Sequence, residues 1–308
     1  MQIGIFITSF GIASTLEGQV QQAVDIETEG FESFWRAQTL SVDALTVFAL
    51  AGPRTNNLKM GTAVIPTFTR HPVALAQQAL TAQEAAGGRI TLGIGLSHKS
   101  TVEQKLGLIF DRLALRMEEY LLVLRPLLDQ HKVSFRGKTM NVDAELSDFN
   151  VNSNSVIIAA LGPKMLHIAG TLADGTVTWM VGPKTLDTHI VPIITNAARI
   201  AGRPDPRICV GVPVAVTDDR KAGTQAAIRN FERYGNLPSY QNMLKIEGHS
   251  HPSQMAIIGN EIEVEREIRA YSDVGTTEFL ASPFPVGSDE GVSLTRTRAL
   301  LKSLVGKI

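Results

Sequence analysis

The segment 58–98, LKMGTAVIPTFTRHPVALAQQALTAQEAAGGRITLGIGLSH, decides the fold. An apolar run ends at Ile65-Pro66, a helical pattern begins after His71-Pro72, and a second apolar run follows Gly87-Gly88 and ends before Ser97-His98. Two strands that are joined by such a crossover helix lie parallel. Because parallel α/β folds carry their chemistry at the carboxyl ends of the strands, both strand ends are candidates for a functional site.

The same alternation of short apolar runs with amphipathic helical stretches continues along the chain. The predicted strands are Ile3–Thr8, Ser33–Arg36, Lys59–Val64, Thr91–Gly95, Val156–Ala160, Thr176–Met180, Ile208–Val216 and Glu278–Ala281. Eight βα repeats within 308 residues favour one (β/α)8 TIM barrel domain over residues 1–308, with an insertion after strand 7 near the barrel mouth. An open doubly wound sheet is the alternative, but residues 8–12 lack the glycine-rich fingerprint of its first βα turn.

Three segments depart from the regular pattern. The predicted helix Leu113–Leu128 contains Pro126, which we expect to kink or end it. The polar stretch Val133–Ser155 is predicted to form an irregular or hairpin excursion. The stretch Gly235–Asn260 follows the seventh strand and its helix, and we expect either a lid over the barrel mouth or a decorated surface loop.

Composition and charge argue against several kinds of partner. Hydrophobic residues make up 44% of the chain, enough for a large core, and 29 basic residues nearly balance 30 acidic ones. Because lysine and arginine are scattered, we expect neither a nucleic acid nor a membrane partner. No basic and apolar leader precedes the first strand, and the apolar runs are far shorter than the roughly 20 residues that span a bilayer. We therefore expect a soluble, cytoplasmic protein.

Cysteine and histidine usage predicts neither a disulfide nor a metal site. Cys209 is the single cysteine and lies in an apolar run, so we expect an inert core thiol. His249 and His251 form the one closely spaced histidine pair, without the further ligands that a zinc site needs. The chain also has neither a Gly-x-Ser-x-Gly elbow nor a Walker loop, so nucleophilic hydrolysis has little support.

Several predicted strand ends could together hold a planar cofactor. They are Ala37-Gln38 after strand 2, Ala63-Val64 in strand 3, Ser97-His98 after strand 4 and Leu161–Lys164 after strand 5. In the last of these turns, glycine permits close backbone approach, proline suits the first helical position, and the helix N-terminus favours anions. This turn is either a phosphate site or ordinary helix punctuation.

Three further side chains have two interpretations each. His98, whose type titrates at about pH 6.5, is either an acid–base group or a structural hydrogen-bonding residue. Trp179 ends strand 6 and is either a wall of a cofactor or substrate site or a core aromatic residue. Arg36 is either an anion anchor at the mouth or a rim residue.

The segment 61–98, together with Gly-Phe-Glu-Ser-Phe-Trp at 30–35 and Leu-Ala-Asp-Gly at 172–175, resembles the bacterial luciferase-like superfamily. The likeness is greatest to the branch that uses the deazaflavin coenzyme F420, and it spans nearly the whole chain. The resemblance implies a barrel that binds a flavin or deazaflavin at its C-terminal mouth. It also implies a cis peptide bond at Ala63–Val64 against the ring and a phosphate near Leu161–Pro163.

The chain departs from the pattern of many deazaflavin-dependent relatives, which have an acidic residue and a histidine at the end of strand 2. Here Ala37-Gln38 occupies that place, and an amide cannot exchange protons. His98 is therefore the expected catalytic residue. The expected cofactor-binding residues are Gln38, Ala63, Val64, Ser97, Leu161, Gly162, Pro163, Lys164 and Trp179.

The resemblance implies an oxidoreductase that transfers a hydride between coenzyme F420 and a small organic substrate. The alternative is an FMN-dependent luciferase-like monooxygenase, and a third possibility is a non-catalytic cofactor-binding protein on the same barrel. We expect a homodimer. Both cofactors carry a phosphate, but the acidic tail of coenzyme F420 would need basic contacts, for which Lys164 and Lys184 are candidates.

Overall fold

Eight parallel strands close into a barrel in the computed structural model of the protein, which describes residues 1–8, 11–287 and 289–308. The strands are β1 Gln2–Ile7, β2 Ser33–Arg36, β3 Lys59–Thr62, β4 Ile65–Pro66, β5 Ile90–Gly95, β6 Lys132–Arg136, β7 Asn141–Glu145, β8 Ser155–Ile158, β9 Gly175–Trp179, β10 Arg207–Val216, β11 Ile257–Gly259 and β12 Glu278–Pro283. The barrel closes in the order β1, β2, β3, β5, β8, β9, β10 and β12, because β12 pairs with both β10 and β1. Each predicted strand belongs to this ring, so the predicted (β/α)8 barrel is confirmed and the open sheet is wrong.

Helices connect the strands and begin where local chemistry favours them. They are α1 Leu16–Thr28, α2 Ala44–Ala51, α3 Pro72–Ala85, α4 Leu113–Gln130, α5 Pro163–Leu172, α6 Pro183–Thr185, α7 Val191–Ile200, α8 Arg220–Phe231, α9 Pro238–Glu247, α10 Glu261–Asp273 and α11 Glu290–Leu304. At the start of α2, the Asp43 carboxylate accepts from the Thr46 N–H at 2.9 Å. At the start of α10, Asn260 and Glu263 cap each other reciprocally. Such caps satisfy amides that the helix itself leaves unpaired.

Alternate residues of the strands fill the inside of the barrel. Side chains from six strands form one buried apolar cluster that contains no helix residue, namely Phe6, Trp35, Ile157, Val177, Cys209 and Leu280. Space for the Trp35 indole is available because β3 has glycine opposite it: a Cβ on Gly61 would lie 2.4 Å from the indole ring. The interior is therefore a packed core, on which the mouth of the barrel is built.

A polar network closes the amino-terminal end of the barrel. The Arg207 guanidinium donates to the hydroxyls of Thr91 and Ser155, both at 3.0 Å, and pairs with Glu278. Cys209 lies fully buried next to this network, and burial, followed by the charge of Glu278, raises the pKa of its thiol. Cys209 is thus the inert core thiol that the sequence predicts.

The first two irregular segments have different outcomes. The excursion 133–155 contains the antiparallel hairpin β6–β7, so the hairpin alternative is confirmed. Helix α4 continues beyond Pro126 to Gln130, so proline does not end it. Proline removes the hydrogen bond to the Leu122 carbonyl, but Leu122 is 40% exposed and water can reach this side of the helix.

The insertion 235–260 is not a plain loop. It contains α9 and β11, and β11 extends the sheet by pairing Ile257 with Val214 of β10. Neither element is predicted above, although Pro238 at the first position of α9 and Gly248 at its end, with φ 89°, are ordinary helix boundaries. The insertion is therefore an ordered part of the fold.

No helix in the described part of the chain is long and apolar enough to cross a membrane. Within the same residues, no group of three or more His, Cys, Asp or Glu side chains is arranged to hold a metal ion.

Candidate active site

Small and aromatic side chains form the floor of the barrel mouth. Ala37, Ala63, Val64 and Trp179 follow or end their strands, are partly buried, and all pack on the same interior cluster. The structure thus brings three of the predicted site residues together at the carboxyl ends of β3 and β9. The floor that they form is apolar and suits the face of a planar ring.

The backbone around this floor has unusual conformations. The Ala63–Val64 peptide bond is cis, as the resemblance implies. Ser97 and Met180, which follow β5 and β9, have φ of 61° and 53°, in the left-handed region that non-glycine residues rarely adopt. Left-handed conformations of non-glycine residues cluster at ligand-binding sites. On β5, Gly95 leaves room for Val64, since a Cβ there would lie 2.5 Å from Val64 Cγ2.

The N-terminus of α5 is open to a ligand. Gly162 is its cap residue, with no side-chain hydrogen bond to the first turn, and a Cβ at Gly162 would meet nothing within 4 Å. Gly162, Pro163 and Lys164 are exposed, and the last two also border a cavity of about 620 Å³ between α4 and α5. A hydrogen bond stabilises this turn, because His189 Nε2 lies 2.8 Å from the Leu161 carbonyl oxygen. Free helix amides in this position favour an anion.

The N-terminus of α6 is, by contrast, already occupied. The carboxylate of Glu247, at the end of α9, accepts from the backbone N–H of Lys184 at 3.2 Å, and from the N–H and hydroxyl of Thr185 at 2.8 and 2.6 Å. The structure therefore distinguishes the two lysines: Lys164 lies beside an open helix N-terminus, and Lys184 beside one that the chain itself caps.

Gln38 is engaged locally. Its side-chain oxygen accepts from the Ala44 N–H at 2.8 Å, and its amide nitrogen donates to the Thr39 carbonyl at 3.1 Å. Both ends of the amide thus stabilise the turn between β2 and α2, directly after Ala37 of the floor.

Arg36 takes neither of its two predicted positions. It alternates with the inward-facing Trp35, lies fully buried on the helix side of β2, and donates to the Val42 carbonyl at 3.1 Å. Burial lowers the pKa of its guanidinium, and Asp43 partly opposes this. Arg36 is a buried structural cation, neither exposed at the rim nor directed into the mouth.

His98 lies in the turn after β5, half buried beside the insertion. Its ring centroid is 6.3 Å from that of Tyr240. Burial lowers the pKa of the imidazole, and the positive charge of Arg233 lowers it further. The folded protein therefore favours neutral His98, a form that can accept a proton at neutral pH.

Residues 231–240, which we call the roof segment, cover one side of the mouth. The Tyr234 ring lies 6.2 Å from Trp179 and 5.0 Å from Tyr240, which in turn contacts His98. These tyrosines are not among the residues predicted from the sequence. Pro238 and Gly248, which frame a helix after the seventh strand, are the signal that could have found them.

The fold and this mouth agree with a comparison of the chain with known proteins. The family model described as luciferase-like monooxygenase matches residues 1–302, so the chain belongs to the luciferase-like monooxygenase family. The family supports an enzyme of the oxidoreductase type.

Proteins that are similar in sequence or in fold differ in the cofactor that their names mention. A Mycobacterium tuberculosis protein, provisionally named a coenzyme F420-dependent oxidoreductase, is 27% identical over 248 residues, which are 75% of this chain and 71% of that protein. An F420-dependent secondary alcohol dehydrogenase, solved with an F420–acetone adduct, has a TM-score of 0.79 at 18% identity and covers 97% of each chain. A type II Baeyer–Villiger monooxygenase from Pseudomonas putida, solved with FMN, has a TM-score of 0.76 at 16% identity, covering 100% of this chain and 97% of the other. At such identities the two solved structures show a common fold only.

Proposed function

We propose that the protein is an oxidoreductase that transfers a hydride between coenzyme F420 and a small organic substrate. The main support for this proposal is that one mouth combines an apolar floor, at Ala63, Val64 and Trp179, with the open N-terminus of α5 at Gly162. This combination fits a planar ring with a phosphate on its side chain. When bound, the coenzyme supplies two-electron hydride transfer, and the protein supplies orientation and proton transfer.

Each part of the mouth has a role in this proposal. The backbone of Ala63 and Val64 supports one ring face, Ser97 lies at the ring edge, and Trp179 forms a wall. The free amides of the turn Leu161–Pro163 hold the phosphate, and Lys164 contacts the acidic tail where the cavity between α4 and α5 begins. The second N–H of the Gln38 amide can donate to the ring edge while its oxygen keeps the hydrogen bond from Ala44.

His98 is the proposed acid–base group. Its imidazole lies in the turn after β5 and contacts Tyr240 of the roof segment. Because burial and Arg233 keep the ring neutral, an imidazole nitrogen can take a proton from a substrate hydroxyl or return it to a substrate oxygen.

The second candidate is an FMN-dependent monooxygenase. It has the same requirement for an apolar floor and a phosphate site, and FMN is named for a protein with a similar barrel. The deazaflavin is preferred because F420 is named for a relative that is 27% identical over 75% of the chain. An acidic tail would also explain a lysine beside an open helix end.

Titration of the purified chain with each cofactor, followed by fluorescence, tests the choice. We expect micromolar binding of coenzyme F420 and at least about tenfold weaker binding of FMN, a difference of about 1.4 kcal/mol. Tight FMN binding without F420 binding, together with oxygen uptake when reduced FMN is supplied, would replace the proposal with the monooxygenase.

A further inference from the structure

The roof segment gives the barrel mouth a continuous aromatic wall. The wall runs from the barrel interior outward through Phe6, Trp179, Tyr234 and Tyr240. The distances between the ring centroids of successive residues are 5.3, 6.2 and 5.0 Å. The wall ends at His98, which the cofactor proposal assigns to proton transfer. Edge-to-face and tilted contacts of this kind are favourable and hold neighbouring rings against one another.

The wall meets the floor at Trp179, whereas the backbone assigned to one face of the coenzyme ring lies at Ala63 and Val64. Val64 follows β3, which is separated from β9 by β5 and β8 in the barrel order. A molecule held between the wall and a ring on Val64 would therefore have aromatic surfaces on one side and a planar ring on the other.

Trp179 carries a hydrogen-bond donor that the protein does not use. Its indole Nε1 is buried and has no acceptor among the described residues, whereas Nε1 of Trp35 donates to the Ser33 hydroxyl at 3.0 Å. A buried donor without a partner is costly, and an acceptor oxygen on a bound molecule would remove this cost.

We propose that Trp179, Tyr234 and Tyr240 form the substrate wall and select a planar, conjugated carbonyl compound. The rings stack on the conjugated system, and the Trp179 indole N–H donates to the carbonyl oxygen as the roof segment shifts to admit it. The inference rests on the proposed function only in placing substrate and coenzyme in the same mouth.

Three compounds with the same carbon skeleton test ring stacking and the hydrogen bond from the indole separately. 1-Tetralone has an aromatic ring and a carbonyl, 1-decalone has the carbonyl on a saturated skeleton, and tetralin has the aromatic ring without oxygen. Their affinities are measured by calorimetry on the full chain, alone and saturated with whichever cofactor binds. We expect 1-tetralone to bind roughly tenfold more tightly than either of the others.

Variants assign each preference to its residue. Tyr240→Leu should abolish the preference for 1-tetralone over 1-decalone and keep the preference for 1-tetralone over tetralin. Trp179→Phe should keep the first preference and abolish the second. Phe149→Leu, which changes a half-buried aromatic residue next to His131 and outside the mouth, should keep both. Equal binding of the three compounds, no binding of 1-tetralone in either state, or preferences that survive in both variants would overturn the inference. None of these outcomes depends on hydride transfer, so they are distinguishable from a failure of the cofactor titration.

Discussion

The rings of His98 and Tyr240 lie with their centroids 6.3 Å apart, which joins the turn after β5 to the first turn of α9. This contact shields the imidazole from water, and the neighbouring Arg233 adds a positive charge. Both effects disfavour the protonated ring, so the roof segment helps to lower the pKa of a residue in a distant part of the sequence.

The first prediction concerns that protonation state. We expect a His98 pKa below 6.5 in the wild type, measured by NMR titration of the imidazole signals. Arg233→Gln should raise it, because the neighbouring positive charge is removed. Arg229→Gln, which removes an exposed charge on α8, is the matched control and should leave it unchanged. A wild-type value at or above 6.5 would contradict the structure.

The same shift predicts how stability depends on pH. Since the folded state binds a proton at His98 less readily than the unfolded chain, unfolding takes up protons below pH 6.5. The stabilising contribution is therefore complete above pH 6.5 and is lost as the pH falls towards the lowered pKa. His98→Asn should remove this component, so the difference in Tm between wild type and variant should shrink or reverse over that window. Parallel pH curves for the two proteins would exclude the effect.

The sequence predicts the barrel because its signals are local. The eight strands alternate with helices at the right lengths, and the Gly87-Gly88 turn and the cap at His71 mark the crossover that fixes a parallel pair. The cis bond at Ala63–Val64 is predicted only by the resemblance to the family, because no physical signal in these two residues indicates it.

The side-chain environment of the site was harder to predict. Gln38 has the same chemistry whether it faces a ring or the Ala44 amide, and only the folded turn decides between them. The contact of Tyr240 with His98 joins residues from opposite halves of the chain, which no local pattern encodes.

Lys164 and Lys184 provide a matched pair for the tail contact. Lys164→Glu should weaken coenzyme F420 binding by about fivefold at low ionic strength, with the loss shrinking as salt is added, because the lysine is exposed. Lys184→Glu should have little effect, since Glu247 already caps the neighbouring helix N-terminus. Dissociation constants at two salt concentrations decide this. Equal effects of the two substitutions would contradict the proposal that Lys164 contacts the acidic tail of coenzyme F420.

Substitutions at two glycines distinguish an effect on cofactor binding from an effect on the stability of the fold. Gly162→Ala should leave the free energy of unfolding within about 0.5 kcal/mol, because its Cβ meets nothing, but should weaken cofactor binding where the phosphate is proposed to lie. Gly61→Ala should destabilise the fold by about 1–3 kcal/mol, since its Cβ would overlap the Trp35 indole. Denaturant unfolding and cofactor titration of both variants test this. Unchanged affinity in Gly162→Ala would mean that the phosphate is bound elsewhere.

The last prediction concerns what holds the insertion over the mouth. Glu247 accepts from two backbone amides and the Thr185 hydroxyl at the start of α6, and so ties α9 to the end of β9. Glu119 makes the same set of contacts in the β6–β7 hairpin, to the amides of Lys138 and Thr139 and to the Thr139 hydroxyl.

We expect Glu247→Gln to weaken its cap by about 1 kcal/mol and to accelerate amide hydrogen exchange in 231–247, without affecting the hairpin. Glu119→Gln should accelerate exchange in the hairpin and leave the roof segment unchanged. If the roof segment controls access to the mouth, only Glu247→Gln should change the association rate of the cofactor, measured by stopped-flow fluorescence. Faster exchange over the whole chain in Glu247→Gln would instead mean that this carboxylate stabilises the entire barrel.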